Sequence, residues 1–213
     1  MALITEKSTI KTEAIFSPDR KHRYLLRKEW DKSKDKATVI MVNPASATDM
    51  RIDHTTMYVL NNLVRLGFGG CDIVNLYSKI SSSTKEDNTS NEMNDNQILQ
   101  SAKTSTHVII AWGKIGDTNK RVAKRQKEVI GLLKPFQDKL FVIADAVGNT
   151  GFHPLSPRVH EWNLKEFKIP EEAECEADTK QELKKAKGKI ENKQEEEQEE
   201  QEETTAEGHQ EEQ

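Results

Sequence analysis

VIMVNPAS, Val39 to Ser46, is a continuous apolar run that ends in an asparagine, a proline and small residues. From Thr38 it carries β-branched side chains without polar alternation, the pattern of a central strand covered on both faces. Pro44 has no amide hydrogen to give a ladder and stops the strand, so Asn43 stands at its carboxyl end. Three further runs read the same way: CDIVNLYS (Cys71 to Ser78), THVIIAWG (Thr106 to Gly113) and LFVIADA (Leu140 to Ala146). The last leads into FHPLSPR, Phe152 to Arg158, where His153 precedes Pro154. In an open α/β sheet, groups at the carboxyl ends of the strands line the ligand crevice. An Asn and a His placed there can position a water and stabilise an anion.

Between these runs lie helical patterns. TTMYVLNNLVRLGFGG, Thr55 to Gly70, places Met57, Leu60, Leu63 and Val64 at helical spacing, and Gly67 to Gly70 end it. NDNQILQSAKT, Asn94 to Thr104, predicts a short helix with an Asn or Asp cap. Asn119 to Leu133 predicts a strongly basic amphipathic helix, and residues 159 to 169 a closing helix carrying Trp162, Leu164 and Phe167. HRYLLRKEW, His22 to Trp30, alternates enough for a strand, with a helical turn as the alternative. The expected fold is a three-layer α/β/α domain around a central, mainly parallel sheet of four or five strands.

The charge is unevenly distributed. Residues 171–213 hold 17 acidic and 6 basic residues, a net −11; against −4 for the whole chain this leaves +7 for residues 1–170. The expected organisation is therefore an α/β domain over 1–170 and an acidic Glu/Gln/Lys-rich tail over 171–213, without an apolar stripe and expected to be disordered. A basic body suits a phosphate-bearing partner, and is equally ordinary solubilising charge. Cys71 and Cys175 give neither a disulfide framework nor metal spacing, and Cys71 reads as a small buried hydrophobe. The six histidines, at 22, 54, 107, 153, 160 and 209, do not pair at ligand spacing, so no metal is expected. No run approaches the roughly 18 apolar residues of a membrane span, and the first residues are too polar for a signal peptide; a cytoplasmic protein is expected, with no membrane partner.

The strand ends VNPAS, VNLYS, IIAWGKIG and HPLSPR together resemble the uracil-DNA glycosylase superfamily. There a first strand ends in Gly-x-Asn-Pro or Gly-x-Asp-Pro, a later one in a base-reading Asn, and the last leads into a His-Pro-Ser-Pro type loop. More closely, the chain resembles the bacterial and phage family called domain of unknown function 1643. Its motifs correspond to Arg23 to Trp30 (loosely), Asn43 to Ser46 with an inserted Ala45, Asp53 to Thr55, Val74 to Leu76, Asn94 and Asp95, Ala111 to Gly113 and His153 to Leu155. The likeness covers roughly residues 20 to 160. It departs after Asp-x-Thr, where the family often carries an Arg and this chain has Met57 and Tyr58.

The glycosylase resemblance implies hydrolysis of an N-glycosidic bond without a cofactor. Asn43 would orient the attacking water, and the alternative is an Asx-type bond before Pro44. Asn75 would read a pyrimidine edge with its paired donor and acceptor, or stitch adjacent strand ends. His153 would stabilise the departing base anion. Asp53 can take a proton where Asn43 cannot, or cap the following helix. Around these, Pro44, Ser46, Tyr77, Trp112, Gly113, Lys114, Ser156 and Arg158 are candidate base- or ligand-binding residues. The expected partner is a nucleic acid or a nucleotide, with single-stranded or monomeric forms favoured over duplex because no long apolar wedge follows HPLSPR. A non-catalytic nucleotide- or nucleic-acid-binding module on the same fold is the alternative function. A third class is an interaction protein acting through its acidic tail.

Overall fold

The computed structural model describes residues 3–44, 50–80 and 92–170. In these the chain forms β1 (Lys11–Phe16), β2 (Arg23–Glu29), β3 (Lys36–Met41), α1 (His54–Arg65), β4 (Gly70–Asn75), α2 (Glu92–Thr104), β5 (His107–Ile110), α3 (Lys120–Leu133), β6 (Leu140–Ala144) and β7 (Asn163–Glu166). Two short 3-10 turns, Ile115–Asp117 and Lys134–Lys139, flank α3. The sheet order is β1-β2-β4-β3-β5-β6-β7. The four apolar runs form its parallel centre, β4-β3-β5-β6. The pairs β1–β2, β2–β4 and β6–β7 are antiparallel.

The molecule is thus a mixed α/β fold with a seven-stranded, partly parallel sheet, and the expectation of four or five mainly parallel strands is corrected. Residues 11–29 supply two strands, of which β2 falls within the His22 to Trp30 stretch read as a strand, and residues 163–166 supply another where a closing helix was expected. The helix is excluded by competition. An extended segment satisfies the open backbone groups along the β6 edge. It also sends Leu164 and Phe167 to different hydrophobic clusters. Just before it, the Trp162 amide donates to Asn62 Oδ1 at 2.8 Å, while Asn62 Nδ2 donates to the carbonyls of Tyr58 and His160.

Pleating divides each central strand between two clusters. Val39, Met41, Ile73, Ile109 and Ile143 join Val59, Leu60 and Leu63 of α1 and the buried Trp162. Ile40, Val74, Val108, Ile110 and Val142 join Ile98 and Ala102 of α2 and Val122, Val129 and Leu133 of α3. Each fully buried Leu or Ile contributes about 1.5–3 kcal/mol relative to exposure. Cys71 is buried, as expected.

The helix boundaries shift for local reasons. α1 stops at Arg65, with Gly67 at φ +87 accepting the left-handed turn, and Gly70 already belongs to β4. Within α1, Thr56 and Val59 share the buried face with Leu60 and Leu63, whereas Met57 and Val64 are 40% and 56% exposed. In α2, Asn94 is an interior residue rather than a cap. Its Nδ2 donates to the carbonyls of Asn75 and Leu76, fastening the helix to the end of β4. The α3 prediction holds, with Asn119 Oδ1 accepting from the amides of Arg121 and Val122. The polar segment 81–91 and the acidic tail 171–213 lie outside the described residues.

Candidate functional site

A cavity of about 450 Å³ opens where the parallel strands end. The end of β3 and the residues after it give Met41, Val42 and Asn43; the start of α1 gives Asp53, Thr55 and Thr56. The turn after β5 gives Trp112, Gly113, Lys114 and Ile115, and the loop after β6 gives His153. Arg23 also lines it. Because β2 runs antiparallel to β4, its first residue lies at the end where β4 finishes, and the Arg23 amide donates to the Ser78 carbonyl at 2.8 Å.

Arg23 is only 2% exposed. Its Nη2 donates to Asn75 Oδ1 at 3.4 Å. Burial lowers the guanidinium from 12.5 to about 10, against the opposing pull of the Asp53 charge, so it stays protonated at neutral pH. Asp53 caps α1: Oδ1 accepts from the Thr56 amide at 2.7 Å. The carboxylate thus holds the helix with one oxygen, while the other, Oδ2, is buried without a hydrogen-bond partner among the described residues.

His153 is held by its own loop. Nδ1 accepts from the Leu155 amide at 3.2 Å, and its carbonyl accepts from the Ser156 amide at 2.8 Å. An occupied acceptor at Nδ1 assigns the proton of the neutral ring to Nε2. Burial depresses the imidazole pKa below 6.5, so the neutral form prevails at pH 7. Gly113, at φ +71, brings its turn against the histidine, within reach of His153 Cβ and backbone nitrogen.

The expected site residues separate into two groups. Asn43, Asp53, Trp112, Gly113, Lys114 and His153 come together on the cavity wall. Asn75 is 1% exposed and reaches the cavity only through Arg23; its Nδ2 has no partner among the described residues. Tyr77 is part of the core around α2 and α3, with its hydroxyl donating to the Arg121 carbonyl. Pro44 is buried, Ser156 is half-buried and Arg158 is exposed, all outside the cavity lining. Ser46 lies outside the described residues.

Arg23 and Thr55, named in the sequence only as ends of motifs, and Thr56 were not among the expected site residues. Arg23 had a signal: it opens an alternating strand, and one antiparallel pairing brings its first residue to the carboxyl ends of the parallel strands.

Among the described residues, no group of three or more His, Cys, Asp or Glu could hold a metal ion, and no helix is long and apolar enough to cross a membrane.

Residues 23–155 match the family described as "Protein of unknown function (DUF1643)", more than half of the chain. The chain belongs to this family. The DUF1643 match begins at Arg23 and ends two residues past His153, so every residue lining the cavity falls inside it. No curated protein and no solved structure matches the chain.

Proposed function

We propose that this DUF1643 protein is a glycosylase-like hydrolase. It binds a nucleobase in the cavity and cleaves the N-glycosidic bond with water, on a three-layer α/β/α arrangement like that of the uracil-DNA glycosylases. The observation that carries this reading is that two residues suited to it line one cavity. One is Asp53, whose buried Oδ2 has no hydrogen-bond partner among the described residues. The other is a neutral histidine whose Nε2 bears the proton, His153.

In this reading Asn43 holds the water and Asp53 Oδ2 accepts its proton as the oxygen bonds to the anomeric carbon. The glycosidic C–N bond breaks and its electron pair leaves with the base. His153 Nε2–H donates to the oxygen on which that negative charge develops. Trp112 offers an apolar wall for the base. Asn75, one layer behind, orients Arg23 rather than reading the base directly.

A second reading, a binding module without chemistry, is favoured by one observation: the Asp53 carboxylate already serves as a helix cap.

Base release by the full chain separates the two. The substrates are nucleoside monophosphates and single-stranded oligonucleotides carrying uracil and other deaminated or modified bases. Release that falls about 10²–10³-fold in His153→Gln supports the hydrolase. Binding without release, weakened by the same substitution, establishes the module. Neither release nor binding overturns both.

A further inference from the structure

The charges on the cavity wall point to one feature of the ligand. Among the described lining residues there are two cationic ones, Arg23 and Lys114, and one carboxylate, Asp53; the others are uncharged, His153 being held neutral by burial. Thr55 and Thr56 place the first turn of α1 at the same cavity. That turn contains no acidic residue of its own, and the Asp53 carboxylate caps it from outside. Counted over the described lining residues, cations outnumber carboxylates by one, and the Asp53 charge acts on Arg23.

Position matters as much as sign. Arg23 is 2% exposed, yet it contributes to the cavity lining. A group that meets it must enter the cavity. A phosphodiester inside a polynucleotide has chain leaving both of its ester oxygens and must keep an exit on each side. A terminal phosphate has one attachment and can be enclosed. Lys114, on the turn after β5, is exposed and can close on the phosphate from the solvent side. The volume agrees: about 450 Å³ falls within the range of small-molecule sites and leaves room beyond a lone base.

We propose that the ligand is a mononucleotide, a nucleoside with a terminal phosphate, whose phosphate is held by Arg23 and Lys114 while its base lies toward His153. This rests on the hydrolase reading only for what happens to the ligand afterwards; where both hold, a nucleoside monophosphate and water give the free base and a pentose phosphate.

The test is calorimetric titration of the full chain with nucleoside monophosphates, the matching nucleosides, pentose 5-phosphate, inorganic phosphate and single-stranded oligonucleotides. The expected result is a monophosphate bound about 10- to 100-fold more tightly than its nucleoside, as charge-assisted phosphate contacts provide. That advantage should disappear in Arg23→Gln and fall several-fold in Lys114→Ala. Because Arg23 is buried, thermal melting of Arg23→Gln is measured alongside, and exposed Lys114 supplies a variant that leaves the core intact.

Equal affinity for nucleoside and monophosphate overturns the proposal, as does inorganic phosphate or pentose phosphate binding as tightly as the nucleotide. Preferential binding of oligonucleotides, with base release from them alone, overturns it and leaves the hydrolase reading standing. Tight monophosphate binding without base release supports it and removes the hydrolase reading.

Discussion

Gly113 faces His153 so closely that a Cβ on the glycine would stand 3.1 Å from the histidine Cβ. The glycine also sits at φ +71, which an L side chain adopts only with strain. Gly113→Ala should therefore cost about 1 kcal/mol or more of stability. It should also push His153 off its position and lower base release at least roughly tenfold. Thermal melts and single-turnover rates on the same sample report the two effects separately.

Asp53 caps α1 with one oxygen and also lines the cavity, so two substitutions separate the roles. Asp53→Asn keeps an oxygen for the Thr56 amide and should melt close to the parent. Asp53→Ala removes the cap and should lose about 1 kcal/mol. Both remove the proposed proton acceptor, and under that proposal both should slow base release about 10²–10⁴-fold. A parent-like rate in Asp53→Asn would exclude Asp53 as the base.

His153 has a pKa below its ordinary 6.5 because burial disfavours the charged ring. The depressed value means its neutral form stabilises the fold above pH 6.5, and this contribution is lost as pH falls through the lowered folded value. Base release should follow the same protonation, staying level from pH 8 to 6.5 and declining only below that. A pH profile that already falls above 6.5 would contradict it; His153→Gln should remove this acid limb from the denaturation midpoints.

Asp72 lies buried in β4 with Arg27 bonding both its oxygens, at 2.7 and 2.9 Å, and Lys36 at 3.0 Å. Burial alone would raise its pKa; the hydrogen bond from Arg27 and the charge of Lys36 outweigh burial and hold it below 3.8. Its contribution is present above pH 3.8 and lost as pH falls through the lowered value. Asp72→Ala should cost about 1–2 kcal/mol at pH 7, because Arg27 and Lys36 lose their shared partner while Arg27 keeps Glu13 and Lys36 keeps the Thr104 hydroxyl. Urea melts at pH 7 and pH 3 should show that difference narrowing in acid.

The four central strands were legible because their β-branched, unbroken apolar runs leave few alternatives. The two sheet edges were not. β1 and β7 bury one face only, and β7 is four residues long, so neither carries a continuous apolar signal. At the site, Asn43, Asp53, Trp112, Gly113, Lys114 and His153 could be found because each follows a strand or starts a helix at the carboxyl edge. Asn75 stands at such an edge too, yet Arg23 occupies the space in front of it. Which side chain reaches a cavity and which stays behind it depends on strand pairing across the sheet. Periodicity along one strand does not contain that information.

The antiparallel course of β2 joins Arg23 to the same cavity as His153, although they come from near opposite ends of the described chain. The two sides therefore meet only across a long loop closure. Any molecule that spans both walls acts as a clasp on the chain. It should slow opening of the terminal segments more than that of the central strands, and its occupancy should be readable as protection of β2 and of the His153 loop in hydrogen exchange.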